Sequence, residues 1–378
     1  MVTVETKQLK DVCGKIMPAI SSNTMSNMTD LVQIDLHDGE FRLSATNKEY
    51  YVTTYFNVGV SNPLIATINA VNFIKLVSSI TTEYVDIDVS DNVLTVKCGG
   101  VYKFPLICPE GEEEIVKLPE ITVDNVTAEF STSTENLHSI LYNNESAVQK
   151  NSENEVRRMY YLDNEGAVTV GACACVNFFT LEQPIQLLLP HHIVKLLSIL
   201  SDESTKITVG HKMNYDSSFQ TTVKFEDSHT TISTRLPLSD VSIPKMPVKS
   251  VRENAKATYK YSVSVNKKDI SSACKRLAIF RNTFNKDRGI GQPVQIDYYH
   301  DMMVITDPTS NNAEEIHYIS PSNIQDGESY TMCVDLCDVE DAIDKYKNQY
   351  VTLAFGDSAY LVVHRDNVAY VIVELTGN

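Results

Sequence analysis

The strongest constraint on the fold is a pattern of one helix followed by alternating strands, which recurs along the chain. In its last copy, a short amphipathic helix is predicted by apolar residues at helical spacing: Val339, Ala342, Ile343 and Tyr346. Three segments of alternating polarity follow at residues 350–355, 359–363 and 369–375, with turn residues between them. A helix stripe and a half-buried antiparallel meander bury their apolar faces against each other, so this stretch predicts a two-layer unit.

Two earlier copies precede this one. The equivalent helices centre near Ile74, Val194 and Ala342, and residues 73–77 (FIKLV) match residues 193–197 (IVKLL) best. Each copy is long enough to bury a core of its own, which predicts repeated domains rather than a solenoid. We therefore expect an α+β protein of three repeated domains at residues 1–122, 123–254 and 255–378, each with two helices packed on antiparallel sheets. Linkers are expected at the acidic residues 109–114 and at residues 244–256.

The first copy gives the clearest local predictions. Residues 8–16 form a helix that ends before Pro18, and residues 31–45 form a hairpin around an Asp38-Gly39 turn. A second helix at residues 69–80 has Asn69 as its N-cap. Pro190 is predicted at the first position of a later helix.

Composition is that of a globular protein, with 43% hydrophobic and 21% charged residues. The first residues lack an apolar signal core, and no run of apolar residues approaches membrane-spanning length, so we expect a soluble intracellular protein without a membrane partner. None of the eight cysteines forms a C-x-x-C pair, and free buried thiols are expected rather than a metal site. No cofactor is expected.

The net charge of −17 argues against nucleic acid only if the basic residues are scattered. About half of the 32 Lys and Arg residues fall on six short helices and the turns after them, whereas acidic residues collect in loops. If these helices face one way, the molecule has a basic face that contacts phosphates without reading sequence.

Four patches, in the right order, carry a resemblance to a known family. They are LHDGEFRLSAT at residues 36–46, YKFPLICP at 102–109, LSDVSIP at 238–244 and AYVIV at 369–373. With the repeated unit and the chain length, they resemble the bacterial DNA polymerase III beta subunit, the sliding clamp, over the whole chain. The resemblance implies a non-catalytic ring of two chains joined head to tail, with helices lining the hole and duplex DNA passing through it.

The same resemblance implies partners: double-stranded DNA, a DNA polymerase, an ATP-driven clamp loader and a second copy of the chain. It also implies the cytoplasm of a bacterial cell or a phage-infected host. On this basis the DNA-facing residues are expected to be Lys10, Lys15, Lys75, Lys150, Arg157, Arg158, Lys195, Lys267, Lys268, Lys275 and Arg281. The subunit interface is expected to comprise Phe104, Leu106, Arg276, Ile279 and Phe280.

In the family, polymerase and loader peptides dock in a pocket between the second and third domains. The matching positions here are Cys175, Val176, Phe178, Pro244, Met246, Val248, Val371, Val373 and Leu375. The chain departs from the family at residues 171–177 (GACACVN), where a polar Gly-His-Arg-type stretch is expected, and it ends in Thr-Gly-Asn. The pocket is thus expected either to take a different peptide or to be absent.

Two alternatives stay open from the residues alone. An enzyme with an interdomain cleft could use His191 and His192, His211, or Asp35 with His37, although the P-loop, H-E-x-x-H and G-x-S-x-G motifs are absent from the sequence. A monomeric clamp-like or single-strand-binding protein would need exposed aromatic residues for stacking on bases, and Tyr160-Tyr161 and Tyr298-Tyr299 are the paired candidates.

Overall fold

A computed structural model describes residues 1–20, 28–59, 62–108, 115–150, 152–171, 173–213, 219–236, 246–280, 292–344, 348–356 and 358–375. The chain divides into two compact units. Unit 1 contains residues 1–138 and 192–239, and unit 2 contains residues 139–191 and 240–378. The predicted linker at residues 109–114 lies outside the described residues.

The chain repeats one half-unit, a strand that leads directly into a helix followed by a three-stranded meander. The first copy consists of β1 (Val2–Glu5), α1 (Thr6–Ile16), β2 (Leu31–His37), β3 (Glu40–Thr46) and β4 (Tyr50–Asn57). The second consists of β5 (Leu64–Asn69), α2 (Ala70–Ser79), β6 (Tyr84–Ser90), β7 (Val93–Lys97) and β8 (Val101–Pro105). The third consists of β9 (Val126–Ser133), α3 (Thr134–Asn144), β10 (Met159–Asp163), β11 (Gly166–Val170) and β12 (Ala174–Phe178).

Three more copies complete the chain. The fourth consists of β13 (Gln186–Pro190), α4 (His191–Leu196), β14 (Ser204–Met213), β15 (Phe219–Glu226) and β16 (Thr230–Arg235). Helix α5 (Val248–Lys256) lies between the fourth and fifth copies. The fifth consists of β17 (Tyr261–Asn266), α6 (Lys267–Ala278), β18 (Pro293–Tyr298), β19 (Met302–Asp307) and β20 (Asn312–His317). The sixth consists of β21 (Tyr330–Asp335), α7 (Leu336–Asp344), β22 (Tyr350–Phe355), β23 (Tyr360–Arg365) and β24 (Val368–Val373).

Each unit contains one eight-stranded and one four-stranded antiparallel sheet. In unit 1 the strand orders are β5-β2-β3-β4-β16-β15-β14-β9 and β1-β6-β7-β8. In unit 2 they are β13-β10-β11-β12-β24-β23-β22-β17 and β20-β19-β18-β21. Each eight-stranded sheet therefore joins two half-units edge to edge, through the β4–β16 junction in unit 1 and the β12–β24 junction in unit 2.

Backbone hydrogen bonds show how closely the repeat is kept. In three equivalent places, the N–H of the first residue of a helix donates to the carbonyl of the residue just before the first meander strand of the next half-unit. These bonds join Thr6 of α1 to Glu83 before β6, Thr134 of α3 to Glu203 before β14, and Lys267 of α6 to Gln349 before β22. Their lengths are 3.0, 3.0 and 2.8 Å. The α+β prediction with repeated helix-and-sheet units is confirmed. The half-unit occurs six times along the chain, and the division into three domains at residues 122 and 254 stays a prediction.

Local predictions from periodicity are confirmed where a helix or a hairpin carries its own signal. In α1 the buried side chains are Leu9, Val12, Cys13 and Ile16, and Asn69 caps α2 by accepting from the Asn72 N–H. The turn after β2 places Asp38 and Gly39 at φ of 54° and 79°, the left-handed region that a two-residue hairpin turn of this type requires.

Two predictions are wrong. Residues 248–256 of the expected second linker form α5, because Val251, Arg252 and Ala255 recur at helical spacing and are buried, while Pro247 only precedes the helix. Pro190 ends β13 instead of opening α4. Strands β1, β5, β13, β20 and β21 were not predicted, and each of them contains only four to six residues. Within the described residues, no helix is long and apolar enough to cross a membrane.

Candidate functional site

The first candidate surface is an apolar cluster on one face of the eight-stranded sheet of unit 2, here called the outer cluster. Its buried members include Val176 on β12, Val371 on β24, Met246 just before α5 and Val251 on α5. Phe178, Val248, Tyr259 and Tyr360 are half-buried and pack against it. Because side chains alternate along a strand, the other face of the same sheet forms a separate core with α6 and α7.

Six of the nine predicted pocket residues lie at or beside the outer cluster, since Val176, Met246 and Val371 belong to it and Phe178 and Val248 line its margin. Val373 follows Val371 on the same face of β24 and is 50% exposed. Leu375 is 37% exposed, and Pro244 lies outside the described residues. Cys175 must be corrected, because it points to the opposite face and is buried in the core beneath the helices.

Helix α5 forms one wall of the outer cluster, and a buried ion pair anchors it. Two guanidinium nitrogens of Arg252 donate to the two carboxylate oxygens of Asp163, each at 2.6 Å, and both residues are more than nine-tenths buried. Burial by itself lowers the pKa of Arg252, but hydrogen bonds and charge from Asp163 raise this pKa above its ordinary value. The arginine thus stays charged inside the protein.

The turn that receives Arg252 depends on Gly166. This glycine has a φ of 113°, and a Cβ built on it would lie 2.1 Å from the carbonyl oxygen of Asn177. Only glycine therefore lets β11 approach β12 closely at this end of the hairpin. This approach pairs Gly166 with Phe178, which brings the turn next to the margin of the outer cluster.

The second candidate surface consists of two free sheet edges. Strands β8 and β20 each end a four-stranded sheet. On β8, Phe104 packs edge-on against Phe73 with ring centroids 5.9 Å apart, and Leu106, just after the strand, is buried. Beside β20, at the end of α6, Ile279 and Phe280 are 76% and 55% exposed. Large apolar side chains at an unpaired edge are typical of a strand-pairing interface.

Arg276, also predicted at the interface, is on the last turn of α6. Its guanidinium forms a two-pronged ion pair with the Glu314 carboxylate on β20, with one nitrogen–oxygen distance of 2.7 Å. The guanidinium hydrogen bond holds the pKa of Glu314 below its ordinary value. This pair fixes the helix end, which carries Ile279 and Phe280, against the free edge.

The predicted DNA-facing residues of unit 1 lie on α1, α2 and α4. Lys75 and Lys195 are exposed and make no ion pair among the described residues. Lys10 donates to the carbonyl oxygen of Ile80 at 2.7 Å. Lys15 donates to the Ser201 hydroxyl at 2.9 Å and lies 3.8 Å from the Asp11 carboxylate, so part of its charge is already offset.

In unit 2 the predicted DNA-facing residues differ in how free their charges are. Lys268 and Lys275 on α6 are exposed, whereas Lys267 donates to the carbonyl oxygen of Asp344 at 3.1 Å. Lys150 and Arg158 pair with Glu145 and Glu155 at 2.8 and 3.7 Å. Arg157 donates to the Gln149 side chain at 3.2 Å, and Arg281 lies outside the described residues.

Helix α7 contrasts with these basic helices. Its described residues include Asp338, Glu340, Asp341 and Asp344 and no lysine or arginine. Burial, together with the charges of Asp335 and Asp341, raises the pKa of Asp338 to about 7. This helix therefore carries less negative charge near neutral pH than its sequence suggests.

Most of the residues on which the two alternative functions depend are buried or lie against a neighbouring polar side chain. Tyr160 and Tyr298 are fully buried and Tyr161 is 4% exposed, so these aromatic rings cannot stack on bases. The Tyr160 hydroxyl lies 2.9 Å from Nδ1 of His191. His192 pairs with Glu49 at 2.9 Å, and burial lowers its pKa although Glu49 opposes this. His211 and His37 contact Thr221 and Asp38. Each of these four histidines thus has a polar neighbour within the fold.

Comparison with known proteins rests on the fold, since no protein-family model matches the chain and no curated protein matches its sequence. A DNA polymerase sliding clamp from Pseudomonas aeruginosa superposes with a TM-score of 0.79 at 16% identity, covering 99% of both chains. The DNA polymerase III beta subunit from Thermotoga maritima gives 0.78 at 16% identity, covering 100% of this chain and 99% of that one.

A sliding clamp from Bartonella birtlesii, solved bound to griselimycin, gives a TM-score of 0.78 at 15% identity over 100% of this chain and 99% of that one. The agreement extends over whole chains and includes the repeated helix-and-sheet architecture. The protein therefore has the fold of the DNA polymerase III beta subunit sliding clamps.

Proposed function

We propose that the protein is a DNA sliding clamp, a non-catalytic processivity factor that encircles duplex DNA as a head-to-tail ring of two chains. The observation that carries the proposal is that two of the three equivalent pairs of sheet edges are joined within the chain and the third pair is not. Half-units one and four join through β4–β16, and half-units three and six join through β12–β24. Half-units two and five are left with the equivalent edges, β8 and β20, unpaired. A second copy completes the pattern by pairing its β20 with β8 of the first.

The two observed junctions share one register, which gives a specific prediction for the third. Equivalent positions are counted across the paired strands from the helix that follows the far strand of each half-sheet, which is α2 after β5 for Tyr51 and α4 after β13 for Ala174. On this count Tyr51 pairs with Ser233, and Ala174, its equivalent, pairs with Val371. The same count places Val101 of one chain opposite Ala313 of the other. Both side chains are exposed and point away from the helices, so a cross-link there leaves the cores untouched.

The test is the oxidation of a Val101→Cys/Ala313→Cys variant, followed by non-reducing electrophoresis. We expect a covalent dimer, because directly opposed residues in an antiparallel pair lie within disulfide range. Val101→Cys/His317→Cys is the matched control: His317 is four residues away on the same face, about 13 Å along the strand, which is too far for a disulfide. A cross-link that is equally strong in the control, or in the unmodified chain, contradicts the register.

Topological linkage explains how a chain of net charge −17 would remain on DNA. The closed ring supplies persistence, so the contacts from exposed lysines such as Lys75, Lys195 and Lys275 can stay weak enough to permit sliding. A closed ring needs a separate ATP-driven loader, since the sequence contains no P-loop. Retention on nicked circular DNA, lost when the circle is linearised, is the expected result; release from both forms alike contradicts encirclement.

We further propose that the outer cluster is the docking site for peptides of the polymerase and the loader, in the cytoplasm of a bacterial cell or a phage-infected host. Buried valines and a margin of half-buried aromatic rings suit an apolar peptide side chain. Griselimycin is a suitable probe, because a clamp of the same fold was solved bound to it. Val373→Asp should weaken its binding at least about tenfold in calorimetry. Ile319→Asp, at an exposed position elsewhere in unit 2, is the control.

A further inference from the structure

Helix α5 is attached at two points to the turn between β10 and β11. Besides the pair of 2.6 Å bonds to Asp163, the Arg252 guanidinium lies 3.4 Å from the carbonyl oxygen of Gly166. One helical turn later, the Lys256 ammonium lies 3.1 Å from the Glu165 carboxylate. Three residues of this turn, Asp163, Glu165 and Gly166, thus supply the hydrogen-bond partners of these two basic side chains.

The same contacts reach the margin of the outer cluster. The Lys256 ammonium lies 5.2 Å from the centre of the Phe178 ring, and Phe178 pairs with Gly166 across β11 and β12. On the cluster side of α5, Val251 and Ala255 are buried, while Val248 is half-buried beside Met246. Phe178 is held on β12, whereas Val248 moves with α5, so the orientation of the helix sets the separation between these two side chains.

The ion pair is better suited to fix this orientation than to stabilise the protein. Burying two charges costs about as much as their attraction returns, and apolar replacements of such pairs are often neutral or stabilising. A two-pronged arginine–carboxylate contact, in contrast, constrains both distance and rotation. An apolar pair in its place would keep α5 on the sheet but would leave its rotation and its sliding less restricted.

We propose that Arg252, through Asp163, is a positioning residue that sets the geometry of the docking surface by locking α5 against the β10–β11 turn. This inference rests on the proposed docking function of the outer cluster. Arg252 itself is buried and does not contact the docked peptide. It acts by holding Val248 and Phe178 at the separation that the peptide requires.

The test is an Arg252→Met/Asp163→Leu variant of the full chain, measured by thermal unfolding, hydrogen exchange of α5 amides and griselimycin calorimetry. We expect a melting temperature close to that of the unmodified protein, α5 exchange faster by about tenfold or more, and griselimycin affinity lower by about tenfold. Arg252→Lys keeps the charge but loses the two-pronged contact, so its α5 exchange rate and griselimycin affinity should lie between those of the unmodified protein and of the Met/Leu variant. Lys249→Gln/Glu253→Gln, which removes the exposed 3.9 Å pair on the same helix, should change neither exchange nor affinity.

The outcomes separate the inference from the function on which it rests. If the unmodified protein does not bind griselimycin, the docking proposal fails, and α5 exchange alone then decides the role of Arg252. Unchanged α5 exchange in the Met/Leu variant overturns the positioning role. Affinity that falls only in proportion to a lowered melting temperature also overturns it, because a purely structural residue moves both together.

Discussion

The β4–β16 and β12–β24 junctions pair their strands in the same register, but their outer faces differ in chemistry. In unit 1, Thr53 and Ser233 occupy the positions that Val176 and Val371 occupy in unit 2. The Thr53 hydroxyl bonds to that of Ser44 at 2.9 Å. Among the described residues, the apolar cluster there comprises Leu31, Tyr51, Leu118 and Ile121, with Ile107 packed against it. Joining two sheets thus does not require an apolar outer face, and the larger cluster in unit 2 is the surface on which α5 packs through Val251 and Ala255.

The largest effect is expected at the junction that two chains would form. Ile279→Asp/Phe280→Asp places two charges where the resemblance and the free edge of β20 predict the interface. We expect the dimer Kd to rise by about 1,000-fold, or about 4 kcal/mol. Sedimentation at micromolar concentration should show a monomer. The exposed Ile319→Asp should sediment as the unmodified protein does, and a variant that remains dimeric would remove this junction from the comparison.

The next effect contrasts ion pairs on the two outer faces. Arg252→Ala leaves Asp163 charged and buried, and should lower the free energy of unfolding by about 3–5 kcal/mol. Arg42→Ala breaks a more exposed pair with Glu40 on the sheet of unit 1 and should cost about 1 kcal/mol or less. Urea denaturation measures both. Equal losses would show that the two faces are anchored alike.

A smaller effect tests the apolar chemistry itself. Val371→Ser gives the unit 2 junction the polar residue of unit 1, and should cost about 2 kcal/mol and weaken griselimycin binding. The reciprocal Ser233→Val should change stability by about 1 kcal/mol or less and leave griselimycin binding unchanged. Griselimycin binding that is insensitive to Val371→Ser would separate the outer cluster from the docking function.

The smallest effect concerns the inner face of the unit 2 sheet, where α7 lies. The folded-state pKa of Asp338, about 7, is above its unfolded value, so the unfolded chain releases its proton first and stability falls as pH rises from about 4 to 7. Asp338→Asn removes this loss. Above pH 7 the variant should be more stable by about 1 kcal/mol after solvent screening, and the difference should vanish below pH 4. Thermal unfolding across this range measures it, and a constant difference would contradict the assignment.

The sequence predicts those elements whose signal is local. The stripe of α1, the Asp38-Gly39 turn and the Asn69 cap each lie within a few residues, and each is confirmed. The α5 helix was missed because Pro247 and mixed charge outweighed three buried positions. The junctions could not be predicted, because Tyr51 and Ser233 meet only through pairing across almost half the chain.

The candidate surfaces were predicted in the same uneven way. The resemblance placed Cys175, Val176 and Val371 together in one pocket. Val176 and Val371 do lie on one face, whereas Cys175, one position from Val176, points to the opposite face because side chains alternate along a strand. Arg252 was missed altogether. Its signal was present, since a lone arginine between Val251 and Ala255 interrupts an apolar stripe at helical spacing, but its partner Asp163 is 89 residues away.

The pairing of half-unit one with four, and of three with six, has a consequence for how this chain can be divided. A fragment that ends where a half-unit ends removes the partner of β4 or of β12 and exposes a long sheet edge to the solvent. Because the chain passes between the units near residues 138, 191 and 239, no single cut yields either unit whole. The half-units thus share one pattern but cannot be separated from one another. A truncated or recombined chain is expected to fold only when it keeps both half-units of each eight-stranded sheet.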